Sequence, residues 1–184
     1  MALHYQNLDD ATRRLMLSEL ELDLSHGTLY ISPRLNEAGV QNYESLLREA
    51  ILSHDDDWLA AELRSRDYIN TNEERRIPQG GLATTKVPAT APDTLAEGEF
   101  NRFYVRGLCS RALNEGIPEV VVYRGKQVQQ PRPASEAMIG KRIPAMNLLL
   151  DLRQSPGVEP ALGLPPGPDS GLTVRLPVNT PIKF

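Results

Sequence analysis

Residues 94–125, TLAEGEFNRFYVRGLCSRALNEGIPEVVVYRG, constrain the fold more than any other part of the chain. Phe100, Phe103, Tyr104, Gly107, Leu108 and Ala112 recur at helical spacing and predict one apolar stripe. Thr94-x-x-Glu97 reads as a capping box, in which each side chain satisfies the other residue's free N–H. Gly116 closes the helix, and Pro118 leads into the β-branched run Glu119-Val-Val-Val-Tyr-Arg-Gly125. A long helix, a glycine stop and a buried strand make an α-β unit. Gly107 in mid-helix costs about 1 kcal/mol relative to alanine, so another backbone is expected to approach closely there.

Around this unit the local signals are mixed. Asp9 or Asp10 is placed to cap a first helix ending at Gly27. TLYIS (28–32) reads as a short strand stopped by Pro33. A second helix is predicted over 40–52, and a third is capped by Ser53 or Asp55. Residues 70–93 hold three prolines, a Gly-Gly pair and several threonines without helical periodicity. They read as an arm or linker. Beyond Arg124, KQVQQPRP is expected as an exposed second strand and Ser135 as the cap of a short turn. Pro144 is expected to open a helix over 144–153. From Ser155 onward there are seven prolines and four glycines in thirty residues. Only SGLTVRLPV looks able to pair as a strand, and the rest reads as disordered or laid along a neighbouring surface. The predicted class is α+β. Its parts are an acidic helical region (1–69), a Pro/Gly/Thr-rich arm (70–93), an α-β unit with a basic segment (94–154) and an extended tail (155–184).

Charge is unevenly distributed. Residues 1–70 carry six Lys/Arg against thirteen Asp/Glu, whereas 101–142 carry eight against three. Such poles can pair within one fold, join subunits head to tail, or offer a basic face to phosphates. Arg102, Arg106, Arg124, Lys126, Arg132, Lys141 and Arg142 are the candidate interface or anion-binding residues, expected along one edge of the α-β unit. No apolar run exceeds four residues, far short of a membrane span, and the N-terminus does not read as a signal peptide. With one cysteine, no internal disulfide is available, and a cytoplasmic origin fits these observations.

Catalytic and metal readings find little support in the residue pattern. His4, His26 and His54 have no ligand spacing, and Asp55–Asp57 point about 100° apart on a helix. Cys109 reads as a small buried side chain. Glu119 and Lys126 lack the tight spacing of a magnesium nuclease. Tyr123-Arg124-Gly125 at a strand end resembles the arginine strand of ADP-ribosyltransferases. That family's Ser-Thr-Ser strand and its downstream Glu-x-Glu turn do not follow: Glu136 and Glu159 are isolated, and Glu97-Gly98-Glu99 lies upstream. GEFNRFYVRGLC together with PRPASEAMIGKR resembles a family of bacterial proteins to which no activity is attached, so no chemistry follows from it.

Neither a cofactor nor a metal is expected. The absence of a catalytic constellation, together with two long arms and opposite charge poles, points to a non-enzymatic structural subunit of a multimeric assembly. A tailed-phage or phage-derived head, neck or tail component is the expected kind, with copies of itself or other subunits as partners. The alternative is a binding module that touches nucleic acid through the basic 101–142 segment.

Overall fold

A computed structural model describes residues 2–76, 80–158, 160–165 and 170–178. Three helices come first: α1 (Asp10–His26), α2 (Glu37–Ser53) and α3 (Asp56–Ser65). Their ends follow from local chemistry. The Asp9 carboxylate accepts from Thr12 N at 3.0 Å, and that of Asp55 from Trp58 N at 3.0 Å. Each satisfies one of the free N–H groups of a first turn. Gly27 ends α1 in the left-handed conformation, φ 65°. The expected strand at 28–32 does not form: among the described residues TLYIS has no ladder partner, and only Leu35 bridges to Ile69.

The segment expected as a structureless arm contains a β-ribbon. Strand β1 (Asn72–Arg76) runs antiparallel to β2 (Leu82–Lys86), with Asn72 opposite Lys86 and Arg76 opposite Leu82. The alternation that marks a strand needs one buried face. No side chain of either ribbon strand is buried, so no apolar face alternates with a polar one.

Helix α4 (Ala91–Asn114) begins a turn earlier than the capping-box pattern indicates. Pro92 sits in its first turn, where a missing N–H costs nothing. Thr94 N is already bonded inside the helix, to Thr90 O at 2.9 Å, and Glu97 turns away to Lys126. The larger departure concerns its faces. Every residue from Glu99 to Cys109 is buried, so α4 has a wholly covered central stretch in place of a single apolar stripe. α1 and α3 pack against it along with α6 and the sheet strands, and a helix covered on all sides has no solvent face to leave polar.

Strand β3 (Glu119–Arg124) is the middle of a three-stranded sheet ordered β4-β3-β5, with β4 at Arg142–Pro144 and β5 at Leu172–Arg175. Both pairings are antiparallel: Val121 faces Arg142 on one side and Arg175 on the other. Both edges of β3 are thus taken, which leaves KQVQQPRP no ladder to join, and it is irregular up to the short helix α5 (Pro133–Glu136). Ser135 lies inside α5 and does not cap it. Helix α6 (Ala145–Gln154) follows Pro144, close to its expected place.

The strand expected in SGLTVRLPV forms, but inside the core of its own chain. Leu172 and Val174 are buried, and the Asn101 side chain of α4 holds the strand. Asn101 Nδ2 donates to Leu172 O at 2.9 Å and Asn101 Oδ1 accepts from Thr173 Oγ1 at 2.7 Å. One hydrophobic cluster runs from Met16 through α2, α3 and α4 to Val174. The architecture is α+β.

Gly107 meets its expected neighbour. A Cβ there would lie 2.6 Å from Met16 Cγ and 2.7 Å from Met16 N, so the α1 backbone crosses α4 at this residue.

Candidate functional site

The seven basic residues do not form one edge. Arg102 and Arg106, which share a helical face as predicted, point into the protein. Arg106 is 1% exposed and serves two acids of α1. Its Nε donates to Glu19 Oε2 at 3.0 Å, and its terminal nitrogens donate to Asp23 at 2.6 and 2.8 Å. Burial alone would raise the Glu19 carboxyl. Hydrogen bonds from Arg153 and Ser110, with the charges of Arg106 and Arg153, hold it below its ordinary value. Arg102 donates to three backbone carbonyls in and beyond the last turn of α6: Leu152 at 3.4 Å, Ser155 at 2.7 Å and Val158 at 2.8 Å.

The others lie nearer the surface. Arg124 pairs with Glu136 at 2.6 Å, Lys126 with Glu97 at 2.6 Å, and Arg142 with Glu119 at 3.7 Å. Arg132 and Lys141 are exposed and make no ion pair among the described residues. Outside the predicted set, Arg111 joins Asp9 at 2.7 Å and Glu115 at 2.7 Å. Part of the opposition between the acidic N-terminal third and the basic segment is therefore satisfied where α1 meets α4, by Arg106 with Glu19 and Asp23 and by Arg111 with Asp9. A sequence signal for this existed: Val105 and Cys109 fall outside the apolar stripe, so apolar residues surround the arginines on the helical wheel.

The ribbon is the feature that faces outward. Only its root is fixed. Arg34 Nε donates to Glu73 Oε2 at 2.6 Å and its NH2 to Oε1 at 3.0 Å, which holds the Glu73 carboxyl below its ordinary value. Val87 N donates to Thr71 O at 3.0 Å and Asn70 Nδ2 to Leu35 O at 3.0 Å. Beyond that root, both outer edges of the two strands are unpaired among the described residues. Leu82 is 64% exposed. Two strands alone are marginally stable in water, and a free strand edge is a template for another chain.

Other candidate chemistry is sparse. Cys109 is buried, and burial pushes its thiol up to about 12, far from a reactive thiolate. Among the described residues, no three His, Cys, Asp or Glu side chains are grouped to hold a metal ion, and no helix is long and apolar enough to cross a membrane. No protein-family model, curated protein or solved structure matches the chain.

Proposed function

We propose that the chain is a non-enzymatic structural subunit of a multimeric assembly that grips its neighbours through extended elements. The particle envisaged is a tailed-phage or phage-derived one, with the subunit in its head, neck or tail. The observation that carries this reading is the β1–β2 ribbon, anchored by the Arg34–Glu73 pair, with both outer edges unpaired among the described residues. Addition of a neighbour's strand to either edge supplies main-chain hydrogen bonds that the isolated subunit lacks. The buried Arg106 cluster supports the same reading by tying α1 to α4 in the core, so that these charges serve the fold and leave the ribbon as the outward element.

The test is to replace residues 72–86 with a short glycine-serine turn. Thr71 and Val87 are hydrogen-bonded neighbours, so the turn spans ends that already meet. Light scattering is expected to show a large species for the intact chain and a smaller one for the variant, with the melting temperature nearly unchanged. An intact chain that stays monomeric at high concentration refutes the assembly reading. If that monomer retains DNA or RNA, with binding lost on adding salt and in Arg132→Glu/Lys141→Glu, the nucleic-acid module replaces it.

A further inference from the structure

A half-open cavity of about 610 Å³ lies between the N-terminal half of α4, the loop at Tyr30–Arg34 and the chain around Val158. Its volume falls in the usual range for small-molecule sites. Tyr30, Pro33, Leu95, Val158 and Pro160 give it largely apolar walls. Arg102 secures the far wall through its bonds to the carbonyls of Ser155 and Val158.

Two features are not explained by packing. Glu99 lines the cavity, is 6% exposed and accepts no hydrogen bond among the described residues. Its ion-pair contact, Arg102 Nε at 3.8 Å, lies beyond hydrogen-bond reach. The charged groups around it are Arg102 and Arg106, which favour its ionised form, and Asp23, which opposes it. The buried Tyr43 hydroxyl nearby is also without a partner among the described residues. Burial outweighs these charges and raises the Glu99 carboxyl to about 7. Among the described residues this carboxyl lacks a hydrogen-bond donor, and the Arg102 charge at 3.8 Å does not offset its burial.

The second feature is Gly98, one residue away. A Cβ at Gly98 would meet nothing within 4 Å among the described residues, in contrast to Gly107, where the α1 backbone excludes one. A helical glycine is less favourable than alanine, and no neighbour requires this one. Its missing side chain keeps the cavity open.

We propose that this cavity binds an organic ammonium ion with a compact apolar or aromatic body. The ammonium N–H groups donate to Glu99, and the body lies along Tyr30, Leu95 and Val158 over Gly98. An ammonium supplies the hydrogen bonds that Glu99 lacks among the described residues, and a further positive charge beside that of Arg102. Arg34 and Glu73 also line the cavity but pair with each other at 2.6 Å, so a neutral donor supplies only the first and an anion is repelled by Glu99. The site goes beyond the assembly reading and does not depend on it.

The probes are 2-phenylethylammonium, its neutral analogue 2-phenylethanol and the anion 3-phenylpropanoate, each titrated into the full chain at neutral pH and followed by protein NMR. The ammonium is expected to saturate and to bind at least about tenfold tighter than the alcohol, a modest margin for a buried charge-assisted pair. The anion is expected not to bind. Glu99→Gln, which keeps the shape and removes the charge, is expected to abolish the preference for the ammonium. Gly98→Leu is expected to fill the space, raise the melting temperature and abolish binding of both ligands. The proposal is overturned if the ammonium does not saturate, if the alcohol binds as tightly, or if either variant binds the ammonium like wild type. The same chemistry arrives as a free amine or as a lysine side chain of another subunit. Light scattering during the titration separates them: release of subunits assigns the site to a neighbour's lysine, and unchanged size to a free amine.

Discussion

Gly98 and Gly107 stand nine residues apart on one helix, and the same substitution is expected to act on them with opposite sign. At Gly107 an alanine Cβ falls 2.6 Å from Met16 Cγ, 2.7 Å from Met16 N and 3.0 Å from Met16 Cα. Carbon atoms pack comfortably at about 3.5–4.0 Å, so α1 has to retreat by about 1 Å. The obstacle is largely backbone, and Met16 is fully buried, so no rotamer change relieves it. The retreat also pulls on Glu19 and Asp23, which hold Arg106 from the same helix. Overpacking costs about 1–3 kcal/mol, and a backbone obstacle puts this case in the upper part, about 2–3 kcal/mol, against about 1 kcal/mol gained in helix propensity. Gly107→Ala is therefore expected to lose about 1–2 kcal/mol. At about 2–4 °C per kcal/mol for a chain of this length, its thermal midpoint falls by roughly 2–8 °C. Gly98→Ala gains the same propensity without a clash, and its midpoint is expected to rise by about 2–4 °C. Calorimetry on both variants checks the pair. A Gly107→Ala midpoint at or above wild type refutes the close crossing of α1 and α4, and a Gly98→Ala midpoint below wild type refutes the open space beside Gly98.

Arg106→Met leaves Asp23 and Glu19 facing an apolar side chain in the core, and urea unfolding is expected to show a loss of about 3–5 kcal/mol. A loss below about 1 kcal/mol means that water reaches these acids. Stability is also expected to decline as pH rises from about 4.5 to about 7, because Glu99 and Asp56 both titrate at about 7 in the folded chain, each raised mainly by burial. In that window the unfolded chain has released protons that the folded chain still holds, so the unfolded state gains; the decline levels off above about pH 7. Each group accounts for at most about 3–4 kcal/mol. Glu99→Gln and Asp56→Asn are each expected to flatten the decline and to be more stable than wild type at about pH 8; a slope unchanged in both variants refutes the assignment.

What could be read from residue order was local. The caps at Asp9 and Asp55, the left-handed stop at Gly27 and the strand after Gly116 depend on groups within one turn of each other. The chain carries that information wherever it goes. Gly107 was legible for a related reason: a glycine inside a strong helix is unfavourable by itself, which implies a neighbour. The same argument applied equally to Gly98, and there the sequence had no means of telling an occupied position from an empty one. The α+β class followed from the helix–strand succession around residues 94–125.

The misread elements share a different cause. The 72–86 ribbon is a strand pair without a buried face, so the alternation that marks strands is absent and its threonines and charges looked like linker. Arg102 and Arg106 looked like surface cations. Their partners lie 50 to 87 residues away, at Leu152, Ser155, Val158, Glu19 and Asp23. The candidate cavity was not visible at all, because Tyr30, Glu99 and Val158 belong to three separate parts of the chain. By itself the sequence determined the caps at Asp9 and Asp55, the stop at Gly27 and the strand after Gly116, since hydrogen bonds and dihedral preferences between near neighbours decide those. Only the tertiary structure decided which faces were covered. Burial of α4 on all sides, and with it the pairing of Arg106 and the isolation of Glu99, depends on which distant segments pack together.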